Sequence, residues 1–596
     1  MLLQQAARVR YFMSTDAKYS ARASADSTEA LFSPARVRTG ADTVLDVLDE
    51  HNIDVVFGYP GGAIMPLHDA LFNHRVRHVL MRHEAGAAFA ASGYARSTGR
   101  VGVCLATSGP GATNLVTGIA DAMLDNVPLV AITGQVKTAL MGTDAFQEVD
   151  IASVTQAITK RNIVVRSAAD IRPALEAALA LAQGPRCGPV LVDMPSDVLK
   201  AAAQPPAGDS PRRRRATASA FACDDAILET VNALGSAQRP VLIVGGGARW
   251  SGAAPAFRRL CALLDAPHCC TLHGLGAAAG EDPNALGMLG MHGWSRANRA
   301  VAQADMVIAL GMRFDDRVTG DPASFAAQAR TIVHADIDEA EFDKIVPAHI
   351  KLHGDVRVTL ERLCAALEKH EVPRFTHWAA QARSLGAALP GDDAGPAHLS
   401  ATGVLDAFFE MAAHDSIVTT DVGQHQMWAA QRARPADPHA FLSSGGLGSM
   451  GFGVPAAIGA KFAHPDRAVV AIVGDGGFQM SLAELATLRR YDLPVKILLI
   501  DNRNLGMVRQ WQELFYQGRY SATNLWDNPD FAAVARAYGI AAWSVDAQTG
   551  VREAMRAFLD ARTPALLHAL CYPGGNVYPM IPSGGSIADL IDPAAR

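Results

Sequence analysis

Three times along this chain, short wholly apolar segments run into glycine-containing turns and then into helical stretches. That repeated alternation limits the fold more than any other feature. The apolar segments are 55–58, 101–105, 129–133 and 190–193 in a first block, and 240–244, 306–310 and 332–336 in a second. A third block carries 417–421, 468–473, 495–500 and 565–569. Strands without polar alternation are buried on both faces, and strands that alternate with helices form parallel sheets covered on both sides. The expected fold class is therefore α/β, with three doubly wound parallel-sheet domains. The expected boundaries are an N-terminal extension at 1–38, a first domain at 39–200, a linker at 201–225, a middle domain at 226–368, a linker at 369–400, a third domain at 401–585 and a C-terminal tail at 586–596. At about 150 residues per domain, 596 residues suit three or four such units. Thr39 or Asp42 can cap the first ordered helix, which is expected to run to about Asn52.

Composition removes several classes of function. The chain is 49% hydrophobic and 19% charged, which is too apolar for disorder. A net charge of −6 argues against a dedicated nucleic-acid or anionic-membrane binder. No apolar run reaches about 18 residues, so no spanning helix is expected. The eight cysteines are scattered, with only Cys269 and Cys270 adjacent. That pattern is neither a disulfide framework nor a zinc signature and points to a reducing compartment. Residues 1–38 are rich in Ala, Ser and Arg and read as a disordered bacterial extension, with Met13 as an alternative start. An organellar import segment is the minor alternative, opposed by Asp16, Asp26 and Glu29. The break near 201–222, with its Pro residues and the run Arg212 to Arg215, reads as a solvated linker. A bacterial, cytoplasmic protein is expected.

The densest chemistry lies between 467 and 511. An apolar strand ends in Gly474, Asp475 and Gly476, a helix follows, and a second apolar strand ends in Asp501 and Asn502. In a right-handed βαβ unit both strand ends lie on one edge of the sheet, so Asp475 and Asn502 can converge there. One carboxylate and one amide oxygen, completed by water and phosphate oxygens, suit Mg²⁺. The glycines admit a diphosphate, and the helix N-terminus favours its charge.

This arrangement resembles the thiamin diphosphate (ThDP) fingerprint of the pyruvate oxidase and acetohydroxyacid synthase group. The resemblance implies that Asp475, Asn502 and the main-chain carbonyl of Asn504 ligate Mg²⁺. It also implies that Gln424, His425, Gly448, Ser449, Met450, Gly476, Gly477, Leu505, Gly506 and Met507 meet ThDP, with Met450 as the apolar wedge beneath its centre. Such chemistry needs a carboxyl group that shares a proton with the aminopyrimidine ring, shielded in apolar company. Glu84, at the head of the small-residue helix in "MRHEAGAAFAASGYAR", matches the family's position for it. In this family that acid acts on a cofactor held by the partner subunit, so a homodimer or dimer of dimers is implied.

Six segments resemble the acetohydroxyacid synthase (acetolactate synthase) catalytic subunit more specifically. They are "GYPGGAI" at 58–64, "GTDAFQE" at 142–148, "GMHG" at 290–293, "RFDDRVTG" at 313–320, "NLGMVRQW" at 504–511 and "PMIPSGG" at 579–585. The resemblance implies decarboxylation of pyruvate and transfer of the two-carbon unit to a second pyruvate or to 2-ketobutyrate, the first common step to valine, leucine and isoleucine. Arg317 would hold the acceptor carboxylate, and Trp511 and Met507 would line its pocket. Glu84, Gln147, Gly61 and Phe146 would stand at the reacting carbons. FAD positions are implied at Arg186, Gly246, Thr271, Leu272, Leu289, Gly290, Met291, His292, Gly311, Arg313, Asp315, Asp336, Ile337, Asp355 and Val356. A small regulatory subunit is implied as a partner. Three residues depart from the family pattern: Ser196 where Lys is usual, Lys137 in a stretch where Pro is common, and Asn504 where His is frequent. The alternative reading is a divergent ThDP-dependent carboligase, decarboxylase or oxidase with another acceptor.

Overall fold

The computed structural model describes residues 37–203 and 222–593. The expected extension, apart from Val37 and Arg38, and the run Arg212 to Arg215 lie outside the described residues. Three six-stranded sheets follow one another, and every strand pairing in them is parallel. The first contains β1 (Val55–Gly58), β2 (Arg77–Leu80), β3 (Gly102–Ala106), β4 (Leu129–Gln135), β5 (Arg161–Val164) and β6 (Pro189–Pro195), in the order β2-β1-β3-β4-β6-β5. The second contains β7 (Pro240–Val244), β8 (His268–Cys270), β9 (Ala285–Met288), β10 (Met306–Leu310), β11 (Thr331–Asp336) and β12 (Ile350–His353), ordered β12-β11-β10-β7-β8-β9. The third contains β13 (Ile417–Thr420), β14 (Phe441–Leu442), β15 (Val469–Gly474), β16 (Val495–Asp501), β17 (Ala541–Val545) and β18 (Ala565–Leu570), ordered β14-β13-β15-β16-β18-β17. The first and third sheets therefore share one topology. The expected α/β class with three doubly wound sheets is what the chain adopts.

Helix α1 (Gly40–Glu50) opens on the expected cap. Thr39 accepts from Asp42 N, and Asp42 accepts from Thr39 N, in a reciprocal capping box. β4 and β6 run two residues past their apolar cores because their polar ends satisfy one another. Thr133 Oγ1 and Gln135 Nε2 donate to the buried Asp193 carboxylate at 2.7 and 3.0 Å. Segment 369–400 is more than a linker: helix Thr376–Arg383 lies within it, and Trp378 packs into the middle core and donates to Pro240 O at 3.1 Å. The C-terminal stretch is also docked. Met580 pairs with Ile591, and Ser295 Oγ donates to the buried Asp592.

The first and third domains share one apolar core. It is built where α2 (Glu84–Thr98) crosses α4 (Gly453–Ala463); α3 (Val116–Leu124) packs beside α2. At the crossing the two backbones meet directly. A Cβ on Gly459 would overlap the Ala90 carbonyl oxygen, and one on Gly93 would overlap that of Ala456. Both obstacles are main-chain atoms that cannot turn aside. We expect Gly459→Ala to destabilise the protein by about 3 kcal/mol through overpacking, read as a lowered midpoint in urea denaturation followed by circular dichroism. A midpoint within error of the parent would refute this account of the crossing.

Candidate active site

In an open parallel sheet, a crevice forms where neighbouring strands send their following loops in opposite directions. Strand order places that point between β13 and β15 in the third sheet, between β1 and β3 in the first and between β7 and β10 in the second. Each of the three holds residues singled out from the sequence.

The helix after β13 opens on Gln424 and His425, and the turn after β15 carries Asp475, Gly476 and Gly477 at the start of α5 (Asp475–Met480). They line a cavity of about 530 Å³, within the size of small-molecule sites. Gly448, Met450, Asn502, Asn504, Leu505, Gly506 and Met507 line it as well, and so do Arg317 and Trp511. Ser449 is absent from the wall and instead donates to Asp121 Oδ1 at 3.1 Å. The carboxyl of Asp475 is pushed up to about 8 by burial and by the neighbouring Asp501. Asn528 Nδ2 donates to Asp475 Oδ2 at 2.8 Å and to Asp501 Oδ1 at 3.1 Å. Asn502 Nδ2 donates to Gln424 Oε1 at 3.0 Å, and Asn502 Oδ1 accepts from Asn504 N at 3.2 Å. A buried carboxyl group beside a second one, with amide and carbonyl oxygens at hand, fits a hard divalent cation. Among the described residues no group of three or more His, Cys, Asp or Glu could hold a metal ion, so any cation here would rely on amide, carbonyl and ligand oxygens. His425 adds a further polar group to the wall: its Nε2 is buried without a partner, and burial drives the imidazole down to about 3, so it is neutral.

Arg317 and Trp511 come together at this cavity from the middle domain and from α7 (Gly506–Phe515). The guanidinium carbon lies 6.0 Å from the indole centroid, in cation–π range, and Nη1 reaches Met291 Sδ at 3.4 Å. Arg317 remains half exposed, with 53% of its side-chain surface accessible, and its Nε lies 3.8 Å from the exposed Asp316 carboxylate.

Several supporting groups were not visible in the sequence. Asp421, wholly buried at the end of β13, accepts from Val422 N, Gly451 N and Gly453 N at 2.9 to 3.0 Å and so fixes the glycine-rich loop. Gln510 anchors the 575–577 segment: Gln424 Nε2 donates to both Gln510 Oε1 and Gly575 O, and Val577 N donates to Gln510 Oε1. Arg96 Nη2 donates to Asp121 and Asp125, both at 2.9 Å, with all three side chains buried. Asp125 in turn accepts from Gly445 N and Gly446 N, and its Oδ1 lies 3.0 Å from His273 Nε2 of the middle domain. Burial would raise the Asp125 carboxyl, but His273 and Arg96 hold it well below the usual carboxylate range.

The four residues predicted at the reacting carbons, Glu84, Gly61, Phe146 and Gln147, line neither this cavity nor the one described next. They lie at or beside the edge crevice of the first sheet. Glu84 is 8% exposed, and its Oε2 accepts from Asn114 Nδ2 at 2.9 Å. Gly61 faces Thr107, and Gln147, with φ of 59°, lies against Gly109. Phe146 is 87% exposed. The departures Lys137 and Ser196 are near neighbours, because Thr138 N donates to Asp197 Oδ1 at 3.0 Å. The chain therefore carries an acid-bearing crevice on the first domain and, apart from it in the lining, a cavity on the third where Asp475, Asn502 and Asn504 stand together.

At the β7/β10 crevice a second cavity is lined by Arg186, Gly246, Thr271, Gly311, Arg313, Asp315, Asp336, Ile337, Asp355 and Val356. Leu272, Leu289, Met291 and His292 line the larger cavity instead, and Gly290 lies on neither wall, packed against Arg317 O. Thr271, His273, Arg313, Asp315 and Val318 belong to both, so the two form a continuous cleft. Arg186 pairs with Asp338, with Glu341 at 2.7 Å and with Asn126 Oδ1 at 2.8 Å. Burial raises Asp336 to about 6, and Asp355 caps a helix through Val358 N at 3.1 Å.

Replacing Arg96 by Met leaves Asp121 and Asp125 buried without their counter-charge. We expect a loss of about 3–5 kcal/mol in urea denaturation. An Asp121→Asn/Asp125→Asn pair added to that variant should recover a large part of it. No recovery would show that the cost arises elsewhere.

Three family models match in order along the chain: the thiamine pyrophosphate enzyme N-terminal TPP binding domain at residues 38–154, the central domain at 227–363 and the C-terminal TPP binding domain at 421–569. The acetolactate synthase isozyme 2 large subunit of Escherichia coli is 46% identical over 93% of this chain and 99% of its own length. The chloroplastic acetolactate synthase of Arabidopsis thaliana is 44% identical over 94% of this chain and 85% of its own. The acetolactate synthase large subunit of Corynebacterium glutamicum is 45% identical over 93% and 90%. Spanning all three domains and holding Asp475, Asn502, Arg317 and Trp511 around one cavity, this chain belongs to the acetolactate synthase large-subunit family of thiamin diphosphate enzymes.

Proposed function

We propose that the chain is the catalytic component of an acetolactate synthase that joins the acetyl unit of one pyruvate to a second pyruvate or to 2-ketobutyrate, releasing CO₂, at the entry to branched-chain amino acid synthesis. The observation that carries this reading is Arg317 stacked near Trp511 on the cavity that Asp475, Asn502 and Asn504 also line. A decarboxylase that simply protonates its product has no second carboxylate to hold. A carboligase has one, and a guanidinium beside an indole offers both the charge and the apolar wall for a 2-keto acid.

Thiamin diphosphate, when bound, supplies the nucleophilic carbon that takes up pyruvate. Asp475, Asn502 and the Asn504 carbonyl would hold Mg²⁺ against its diphosphate. Gln424, His425 and the 448–450 loop would seat the rest, with Met450 as the apolar support. Neutral His425 can donate one hydrogen bond to a phosphate oxygen. Glu84 would share a proton with the pyrimidine ring of the cofactor held by the partner subunit, its carboxyl oriented by Asn114. Gly61, Phe146 and Gln147 would close that wall. Because Glu84 does not line the cavity that holds Asp475, a homodimer would complete two active sites, and a dimer of dimers could follow. FAD would lie along the cleft lined by Arg186, Gly246, Gly311 and Asp336. The large-subunit names of several relatives support a small regulatory partner, and the bacterial ones among them are in keeping with a cytoplasmic setting.

The test of the shared site is complementation. Glu84→Gln and Asp475→Asn should each lower acetolactate formation by about 100-fold or more. Co-expressed, randomly paired chains should recover about one quarter of wild-type activity, since half the dimers carry one site with both acids intact. Hybrids no better than either parent would sink the two-subunit site. Separately, Trp511→Leu should lower the preference for 2-ketobutyrate over pyruvate by about 10-fold, measured as the ratio of the two acetohydroxy acids formed from mixed keto acids. An unchanged ratio would remove Trp511 from acceptor selection.

A further inference from the structure

Glu484 is 2% exposed and lies outside both cavities. It ends the short turn Leu482–Glu484 ahead of α6 (Leu485–Arg490), in the third domain. Its two carboxylate oxygens accept the same main-chain donor, Arg82 N of the first domain, at 3.0 and 3.2 Å. Arg82 lies two residues before Glu84. On either side of that contact the same segment makes two more. Thr487 Oγ1 donates to Glu484 Oε2 at 2.6 Å and reaches Leu80 O at 3.3 Å. Tyr491 accepts Leu80 N on its hydroxyl at 2.8 Å. The glycine at position 86 makes room, because a Cβ there would stand 2.5 Å from Glu484 Oε1.

Leu80, Arg82 and Gly86 bracket Glu84 at the head of α2, and each is fixed by or packed against this one segment. Other buried acids of the third domain, such as Asp421, hold loops of their own sheet. Glu484 reaches across 402 residues of sequence to hold a main-chain donor of another domain. From this geometry we infer that Glu484, with Thr487 and Tyr491, positions Glu84: the clamp sets the direction in which the first residue of α2 presents its carboxyl. The inference rests on the proposed role of Glu84. A carboxyl that must meet a ring nitrogen on another subunit has little angular freedom, and a misplacement of about 1 Å can cost about 100-fold in rate.

The holoenzyme, loaded with ThDP and Mg²⁺, provides the test through deuterium exchange at the reactive carbon of bound ThDP, quenched in acid and read by NMR. Glu484→Ala should slow exchange and kcat together by about 10- to 100-fold, with pyruvate KM and ThDP affinity within about twofold. Glu484→Gln, whose amide oxygen still accepts Arg82 N, should restore most of the exchange rate. Normal exchange in Glu484→Ala, or a loss explained wholly by ThDP release, overturns the inference. Should Glu484→Ala fail to fold, Tyr491→Phe and Thr487→Val each remove one contact of the clamp, and unchanged exchange in both overturns it equally. Glu84→Gln separates the two readings. Wild-type exchange there defeats the role of Glu84 and the clamp with it, whereas an inactive Glu84→Gln beside a normal Glu484→Ala defeats the clamp alone.

Discussion

The buried Asp125 carboxylate is where the three domains are tied together. It belongs to the first domain, meets the Arg96 guanidinium of the same domain, lies against His273 of the middle domain and accepts two main-chain donors from the glycine-rich loop of the third. An ionised carboxylate away from water survives only with such partners, so the contact is strict about geometry as well as charge. That loop also carries Gly448 and Met450 on the cavity wall. The shape of the candidate cofactor site is therefore set partly by a charge cluster that reaches its wall only through His273.

A single topology used twice explains why the chain divides its chemistry. The first and third sheets have the same strand order and so the same kind of crevice. One crevice bears an acid on a helix N-terminus; the other bears an oxygen-donor set at the matching edge. Between them, the middle sheet with its different strand order supplies Arg317 and the connecting cleft. No domain alone gathers Asp475 and Asn502, the Arg317 guanidinium and Glu84.

Much of this was legible in the sequence, and the limits have physical causes. The strands read from apolar runs are β1, β3, β4, β6, β7, β10, β11, β13, β15, β16 and β18, all interior to their sheets. Edge strands such as β5 and β17 expose part of their surface and carry no such run, and β8 is an interior strand only three residues long. The cavity residues from Gln424 to Trp511 could be found because a diphosphate and a cation need particular residues at particular strand ends. Asp421, Asp125, Asn114 and Glu484 could not, because their importance lies in partners tens to hundreds of residues away. The docking of 376–383 and of the C-terminal stretch was not legible. The first read as a linker and the second as a tail, yet Trp378 and Asp592 bury themselves against the middle domain.

The crossing of α2 and α4 has a mechanical consequence. Where two main chains touch with no side chain between them, there is no soft layer to shear, and rotation about the contact would drive carbonyl oxygens into α-carbons. The first and third domains must then travel as a single body. Breathing that admits a keto acid has to come from the middle domain or from loops such as 142–148, rather than from a hinge between the two halves that carry the opposing acids.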